Sequence, residues 1–392
     1  MFKAAAIRYN EEELMIKKDR FTRREFLCLT GKGLASLFFA GAALTFGAPA
    51  ALAADSKISV NALVSGENEM RLVFLRRLSA SKSDAFFILN TTPEGLEIFL
   101  IDSGISNKHC RDELLKLRSE ILTRAGLADE IPKSNYTLNL SVIVSHFHGD
   151  HVNDLLLNVA PAAPKLRLNA LYYPAATQLP RDGTYNNDAN DDIMKRYKVL
   201  SAVNTFHRKY CPQYEVPFGE TMDVPSALGS IRLYASPVDW GTGEYLKWMH
   251  ENHFAAKPEL IYGGMATEVL NGNCLWLRAE YAGHSALYTG DTNKKFADRT
   301  DESFDLFLQK YGEALRSDLI KFPHHGRGRD AACAPCKEHL MTADPLAACI
   351  LSGVDGPELA GAVLSKMNVK WYDLNTTDVV YAIKESGMEK LL

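Results

Sequence analysis

The sequence predicts an α/β protein, an αββα four-layer sandwich in which two β-sheets lie face to face between layers of helix. Three observations lead there. Short β-rich runs alternate with helical stretches, the pattern of sheets covered by helices. The second half of the chain repeats the theme of the first. No linker rich in Pro, Gly or Ser divides the 392 residues, and no short repeat is visible, so a single domain is expected. With 46% hydrophobic and 23% charged residues the composition is globular, which excludes disorder, collagen and coiled coil.

The elements follow in order. Strands are expected at 57–63, 85–89 and 96–101, the last delivering Asp102-Ser103-Gly104. The spacing of Leu114, Leu115, Ile121 and Leu122 predicts a helix over 111–125. Residues 140–144 form a nearly continuous apolar run, the mark of a strand buried on both faces. A helix is expected at 193–210, then strands at 231–235, 265–270, 274–281 and 286–289. After a helix at 304–315 come strands at 319–322, 347–351 and 369–372, with a helix at 358–366 between the last two. The stretches 182–192 and 240–264 read as surface excursions.

The first 53 residues read as an address label. Several charges run to Arg20, then Thr22-Arg23-Arg24-Glu25-Phe26-Leu27, a weakly apolar segment over 34–53, and Ala51-Leu52-Ala53 before Ala54. A basic start, an apolar middle and small residues before the junction describe a cleavable export signal. The paired arginines resemble the twin-arginine consensus, implying delivery by that machinery to the periplasm or another extracytoplasmic space. The alternative is an uncleaved membrane anchor; no later segment is apolar for long enough to span a bilayer. The folded domain is expected over 54–392. The first 53 residues hold 8 of the 44 Lys and Arg and 5 of the 48 Asp and Glu, leaving 36 against 43, a charge of −7. That mild acidity argues against a nucleic-acid coat. Six cysteines remain, among them Cys333-Ala-Pro-Cys336, which lacks the context of a redox motif or zinc ribbon and reads as a local disulfide or two plain thiols.

The chemistry concentrates directly after the buried strand, in Ser145-His146-Phe147-His148-Gly149-Asp150-His151. Three imidazoles and a carboxylate at a strand end are donors that zinc accepts readily, manganese or iron(II) also. Two further strands end in Tyr288-Thr289-Gly290-Asp291 and in Lys321-Phe322-Pro323-His324-His325-Gly326. Each alone is weak; in sequence they form a dinuclear set.

That order, His-x-His-x-Asp-His, then Thr-Gly-Asp, then His-His-Gly, resembles the metallo-β-lactamase fold superfamily. Within it, Asn271-Gly272-Asn273-Cys274, Gly-Asp and Lys-x-x-His-His-Gly are most similar to the hydrolase domain of the ComEC type of competence protein. The resemblance implies that His146 and His148 hold one ion, Asp150 and His151 the other, and that Asp291 bridges. It implies His324 as the late ligand, with His325 as alternate, Asp102 as a brace for the metal loops, and Asp150 as the residue that orients an activated water. The chain departs from the pattern where that group has Gly-His-Pro, here Gly353-Val354-Asp355-Gly356-Pro357, which leaves one or two Zn2+ ions open. His207, His250, His253 and His284 are candidates for a further ligand, each better read as a surface or core histidine.

The expected activity is that of an exported metallo-hydrolase on a phosphodiester or phosphorylated envelope molecule. Arg327 and Arg329 are candidates for clamping its anion. Tyr172, Tyr173, Trp240 and Trp248 are candidates for an aromatic wall. Cleavage of a lactone, β-lactam or thioester at the same site is the alternative. A metal-binding or DNA-handling accessory without turnover is the alternative outside enzymes.

Overall fold

Among the residues it describes, the computed structural model has fifteen strands. It describes residues 68–392 apart from 77–83, 94, 106, 125, 128–135, 176–190, 208, 242–268, 293–302, 327–339, 343–347, 352–356 and 375–377. In the first half come β1 (Glu69–Phe74), β2 (Phe86–Thr92), β3 (Gly95–Ile101), β4 (Leu138–Ile143), β5 (Leu166–Pro174), β6 (Gln213–Val216), β7 (Thr221–Val224) and β8 (Ser230–Tyr234). In the second come β9 (Trp276–Tyr281), β10 (His284–Tyr288), β11 (Leu319–Lys321), β12 (Ala348–Leu351), β13 (Lys370–Asp373), β14 (Val379–Lys384) and β15 (Gly387–Lys390). Helices α1 (His109–Arg124), α2 (Gly149–Asp154), α3 (Asp191–His207), α4 (Ser303–Tyr311) and α5 (Pro357–Lys366) fill the layers.

One sheet has the order β15-β14-β1-β2-β3-β4-β5-β6 and the other β13-β12-β11-β10-β9-β8-β7. Strands β3 to β6 are mutually parallel, as are β10 to β13. Their alternation sorts side chains into three cores. Phe86 and Ile88 of β2 and Ala286 and Tyr288 of β10 meet in the core between the sheets. Phe87 turns the other way, into a core built with Leu114 of α1, Val152 of α2 and Val199 of α3. Leu287 and Ile320 face Phe304 and Phe307 of α4 and Leu364 of α5. Burying each such side chain contributes about 1.5–3 kcal/mol. The expected αββα sandwich is the architecture found.

Several expectations need correcting. Residues 269–272 form a short helical turn, not the end of a strand over 265–270, whose first four residues lie outside the described ones. The strand expected at 57–63 also lies outside them. Strands β1, β5, β6, β7, β14 and β15 were not among those expected; β6 and β7 are four residues each, mostly solvent-facing, too short for alternation to register. Tyr172, Tyr173 and Trp240 are buried rather than forming an aromatic wall, and Trp248 is outside the described residues.

His207 closes α3 onto the sheet. Its Nε2–H donates to Ala160 O at 2.8 Å, and its Nδ1 accepts the Leu168 N–H at 3.3 Å, so both ring nitrogens are spent on backbone. It is a core histidine, as expected. Burial holds its pKa below the ordinary value. The unfolded chain therefore gains this proton near pH 6.5 before the folded protein does, and the neutral ring's contribution falls by about 1.4 kcal/mol per pH unit below that point. His207→Phe keeps the bulk and leaves the Leu168 N–H and Ala160 C=O unpaired. Urea denaturation should show a loss of about 1–3 kcal/mol at pH 8 and a smaller difference from the native protein at pH 5.5.

Candidate metal centre

Chemistry-bearing residues sit where the parallel strands end, the usual location for sites in such sheets. Asp102 follows β3 with a φ of 53°, a left-handed turn that L-residues enter at a cost of about 1–3 kcal/mol. The turn aims its carboxylate at the loop after β4. Oδ1 accepts the Ser145 N–H at 2.7 Å; Oδ2 accepts Ser145 Oγ–H at 2.6 Å and His151 Nδ1–H at 2.7 Å. With its proton committed to Asp102, Ser145 Oγ is left to accept His146 Nδ1–H at 3.0 Å. His146 and His151 thus both commit Nδ1–H to these acceptors, which turns Nε2 of each ring towards the other donors.

The second sheet supplies the rest. Gly290, at φ 55°, brings the turn after β10 close to the first sheet: a Cβ there would lie 3.2 Å from Ser145 Cβ and 3.0 Å from Cys274 Sγ. The following residue is Asp291, whose N–H donates to Cys274 Sγ at 3.3 Å. Asp291 Oδ2 lies 3.3 Å from His151 Nε2 and 3.0 Å from His325 Nε2. Lys321, the last residue of β11, shares the inter-sheet side with Leu319 and points its ammonium at the same place. Its Nζ donates to Gly290 O at 2.9 Å, pairs with Asp84 and stands 3.5 Å from Asp291 Oδ1.

Two groups of donors result, each with all its ligand atoms within 4.8 Å of one another: His146, His148 and Asp291, and Asp84, His151, Asp291 and His325. Asp291 belongs to both. In the first, His146 Nε2 faces His148 Nδ1 at 2.9 Å. The donor set suits zinc, manganese or iron(II). The buried atoms fit a cation too: His151 Nε2 and Asp291 Oδ1 make no hydrogen bond, an expensive arrangement for polar atoms with nothing to bind.

The charges are arranged accordingly. Burial opposes ionisation of Asp291, yet His325, His151 and Lys321 hold its carboxyl well below the usual range. Burial likewise disfavours charge on His151 and His325, but Asp291, with Asp102 for His151 and Asp84 for His325, lifts both well above the ordinary value. Burial and the neighbouring His151 and His148 hold His146 down. Asp150, 25% exposed, has Oδ2 3.4 Å from His325 Nε2. Burial raises its pKa, but the hydrogen bond to His325 and the charge of His151 outweigh that and keep it ionised.

Of the residues singled out in the sequence, the structure brings His146, His148, His151 and Asp291 into the two groups, with Asp150 beside the second. His325, not His324, completes the second group. His324 belongs to neither; its N–H donates to Gly290 O at 3.2 Å and its ring centroid lies 6.0 Å from that of His325. Both adopt left-handed backbone, φ 47° and 59°, and that turn decides which ring faces the donors. His284 opens β10 at the opposite end and lies 3.8 Å from Asp318. Arg327, Arg329, His250, His253, Cys333 and Cys336 lie outside the described residues. Cys110, Cys211 and Cys274 are buried free thiols. Sequence reasoning missed Asp84 and assigned Lys321 no role. The available signal was a charge in the otherwise apolar run Leu319-Ile320-Lys321-Phe322, and a carboxylate immediately before Ala85-Phe86-Phe87-Ile88.

No family model matches the sequence, and no curated protein matches it. Among solved structures, the chain is similar to unliganded yeast PDE1 at 9% identity, over 78% of this chain and 97% of that one, with a TM-score of 0.44. It is similar to the MIM-2 metallo-β-lactamase at 14% identity, over 73% and 86%, TM-score 0.27. It is also similar to AidC, a dizinc quorum-quenching lactonase, at 12% identity, over 79% of each chain, TM-score 0.29. At such identities none of these likenesses assigns a chemistry; the residues of the centre have to do so.

The shared carboxylate gives a test. Asp291→Ala should leave less than one metal ion per chain by elemental analysis of zinc-loaded protein. His148→Ala, which touches only the first group, should keep the ion of the second.

Proposed function

We propose that this chain is a metal-dependent hydrolase of the metallo-β-lactamase fold superfamily, akin to the ComEC-type hydrolase domain. In this reading it is exported by its twin-arginine signal and cleaves a phosphodiester or phosphorylated envelope molecule. The observation that carries the reading is the sharing of Asp291 by two adjacent donor groups, with the carboxylate of Asp150 at their open side. Zinc is the cation the donors fit best: His146, His148 and Asp291 would hold one ion, and His151, His325, Asp291 and Asp150 another. Bound there, it supplies Lewis acidity towards a substrate oxygen and lowers the pKa of water.

The protein's own groups do the remaining work. Asp150, ionised and partly exposed, orients the attacking water and accepts its proton. The buried walls keep bulk water out and keep the charges strong. At the rim, His148, Gly149 and Asp150 are all partly exposed. Lys195 of α3 reaches Gly149 there: its Nζ donates to Asn153 Oδ1 at 3.1 Å, and a Cβ on Gly149 would come within 2.8 Å of that ammonium. A glycine at 149 leaves room for the cation to meet an anionic substrate, which favours a phosphate ester over a neutral lactone. No helix among the described residues is long and apolar enough to cross a membrane; the periplasmic address rests on the first 53 residues.

Zinc- or manganese-loaded protein should hydrolyse bis-p-nitrophenyl phosphate. Asp150→Asn should lower kcat by about 10²–10⁴-fold. Lys195→Ala should raise KM about tenfold with little change in kcat, the mark of lost ground-state binding. Turnover of nitrocefin or a lactone but not the diester would transfer the assignment to carbonyl substrates. Metal retention with no turnover would leave a binding accessory.

A further inference from the structure

Asp84 lies within ligand distance of His151, Asp291 and His325, all four fully or almost fully buried, and by proximity alone it counts as a fourth donor. Its hydrogen bonds say otherwise. Oδ1 accepts His325 Nδ1–H at 3.2 Å, and Oδ2 pairs with the ammonium of Lys321, whose side chain is 1% exposed. Both oxygens are therefore spoken for by groups that are not the cation. The arrangement repeats one already described. Asp102 takes Nδ1–H of His151 and turns its Nε2 to Asp291 Oδ2; Asp84 takes Nδ1–H of His325 and turns its Nε2 to the same oxygen, at 3.0 Å. One dyad arises from the end of β3. The other spans the sandwich, from the residue two before β2 to the turn after β11.

We propose that Asp84 and Lys321 are positioning residues rather than ligands. Asp84 fixes the tautomer and direction of His325, and Lys321, through its ion pair and its bond to Gly290 O, fixes Asp84. The inference rests on the metal-centre reading but not on the substrate. Carboxylates placed behind ligating histidines set metal affinity by about 10–100-fold without entering the coordination sphere.

Cobalt(II) is the probe, because its visible absorption reports the number and type of ligands while titration reports affinity. Lys321→Met is the reference, since with the ammonium gone the Asp84 variants leave no unpaired buried cation behind. In that background Asp84→Asn keeps an acceptor for Nδ1–H, whereas Asp84→Ala does not. The expected result is an unchanged spectrum in both double variants. Affinity should lie within a few-fold of the reference for Asn and about 10–100-fold weaker for Ala. A spectrum that loses an oxygen donor in both would make Asp84 a ligand and overturn the proposal, as would equal affinity in all three. If the double variants do not fold, Asp84→Asn and Asp84→Ala with Lys321 intact give the same comparison. Failure of the wild-type protein to bind cobalt would be a different result, defeating the metal centre itself; absence of hydrolysis would leave this test untouched.

Discussion

A carboxylate buried away from water needs donors at both oxygens, and Asp102 meets that demand with Ser145 and His151. This one requirement shapes the loop after β4. The Ser145 N–H fixes where the loop leaves the strand, the Ser145 hydroxyl sets the proton on His146, and the third bond turns His151 over the end of the sheet. The same loop then hands its Ser145 carbonyl to the Leu275 N–H at 2.8 Å, tying it to the opposite sheet just before β9. Without Asp102 the histidines would still be present, but nothing would choose their tautomers or their direction.

Strain gathers around the same point. Asp102, His324 and His325 are three of the six non-glycine residues with left-handed backbone among the described residues. Such conformations persist only where surrounding contacts over-determine them. Here those contacts are hydrogen bonds to Ser145, to Gly290 O and to Asp84, and each puts a donor or its support in place. The packed core between the sheets offsets this cost: Phe74, Phe86 and Tyr288 interlock there with ring centroids 5.4–5.6 Å apart.

Much of this was legible in the sequence, and the reasons differ by residue. The run at 140–144 followed by His-x-His-x-Asp-His could be read because a strand buried on both faces is uniformly apolar and its polar end is abrupt. Asp291 and the histidine pair could be read as strand-end donors, but not which imidazole faces inward, because that depends on two dihedral angles in the turn. Asp84 was marked only as a carboxylate before an apolar strand, and nothing local ties it to a lysine 237 positions later. Lys321 was visible only as an anomaly, a charge where the pattern required an apolar side chain. Short edge strands such as β6 and β7 escaped because they carry too few residues to show a period.

The centre's donors come from two structurally separate contingents: His146, His148 and His151 from the sheet built largely by the first half of the chain, Asp291 and His325 from the sheet built largely by the second. Neither contingent closes a coordination shell unaided. An ion bound to both would act as a rivet between the faces of the sandwich. Two fragments divided between β8 and β9 would for the same reason be expected to recombine more readily with a divalent ion than without one, so metal supply would govern assembly.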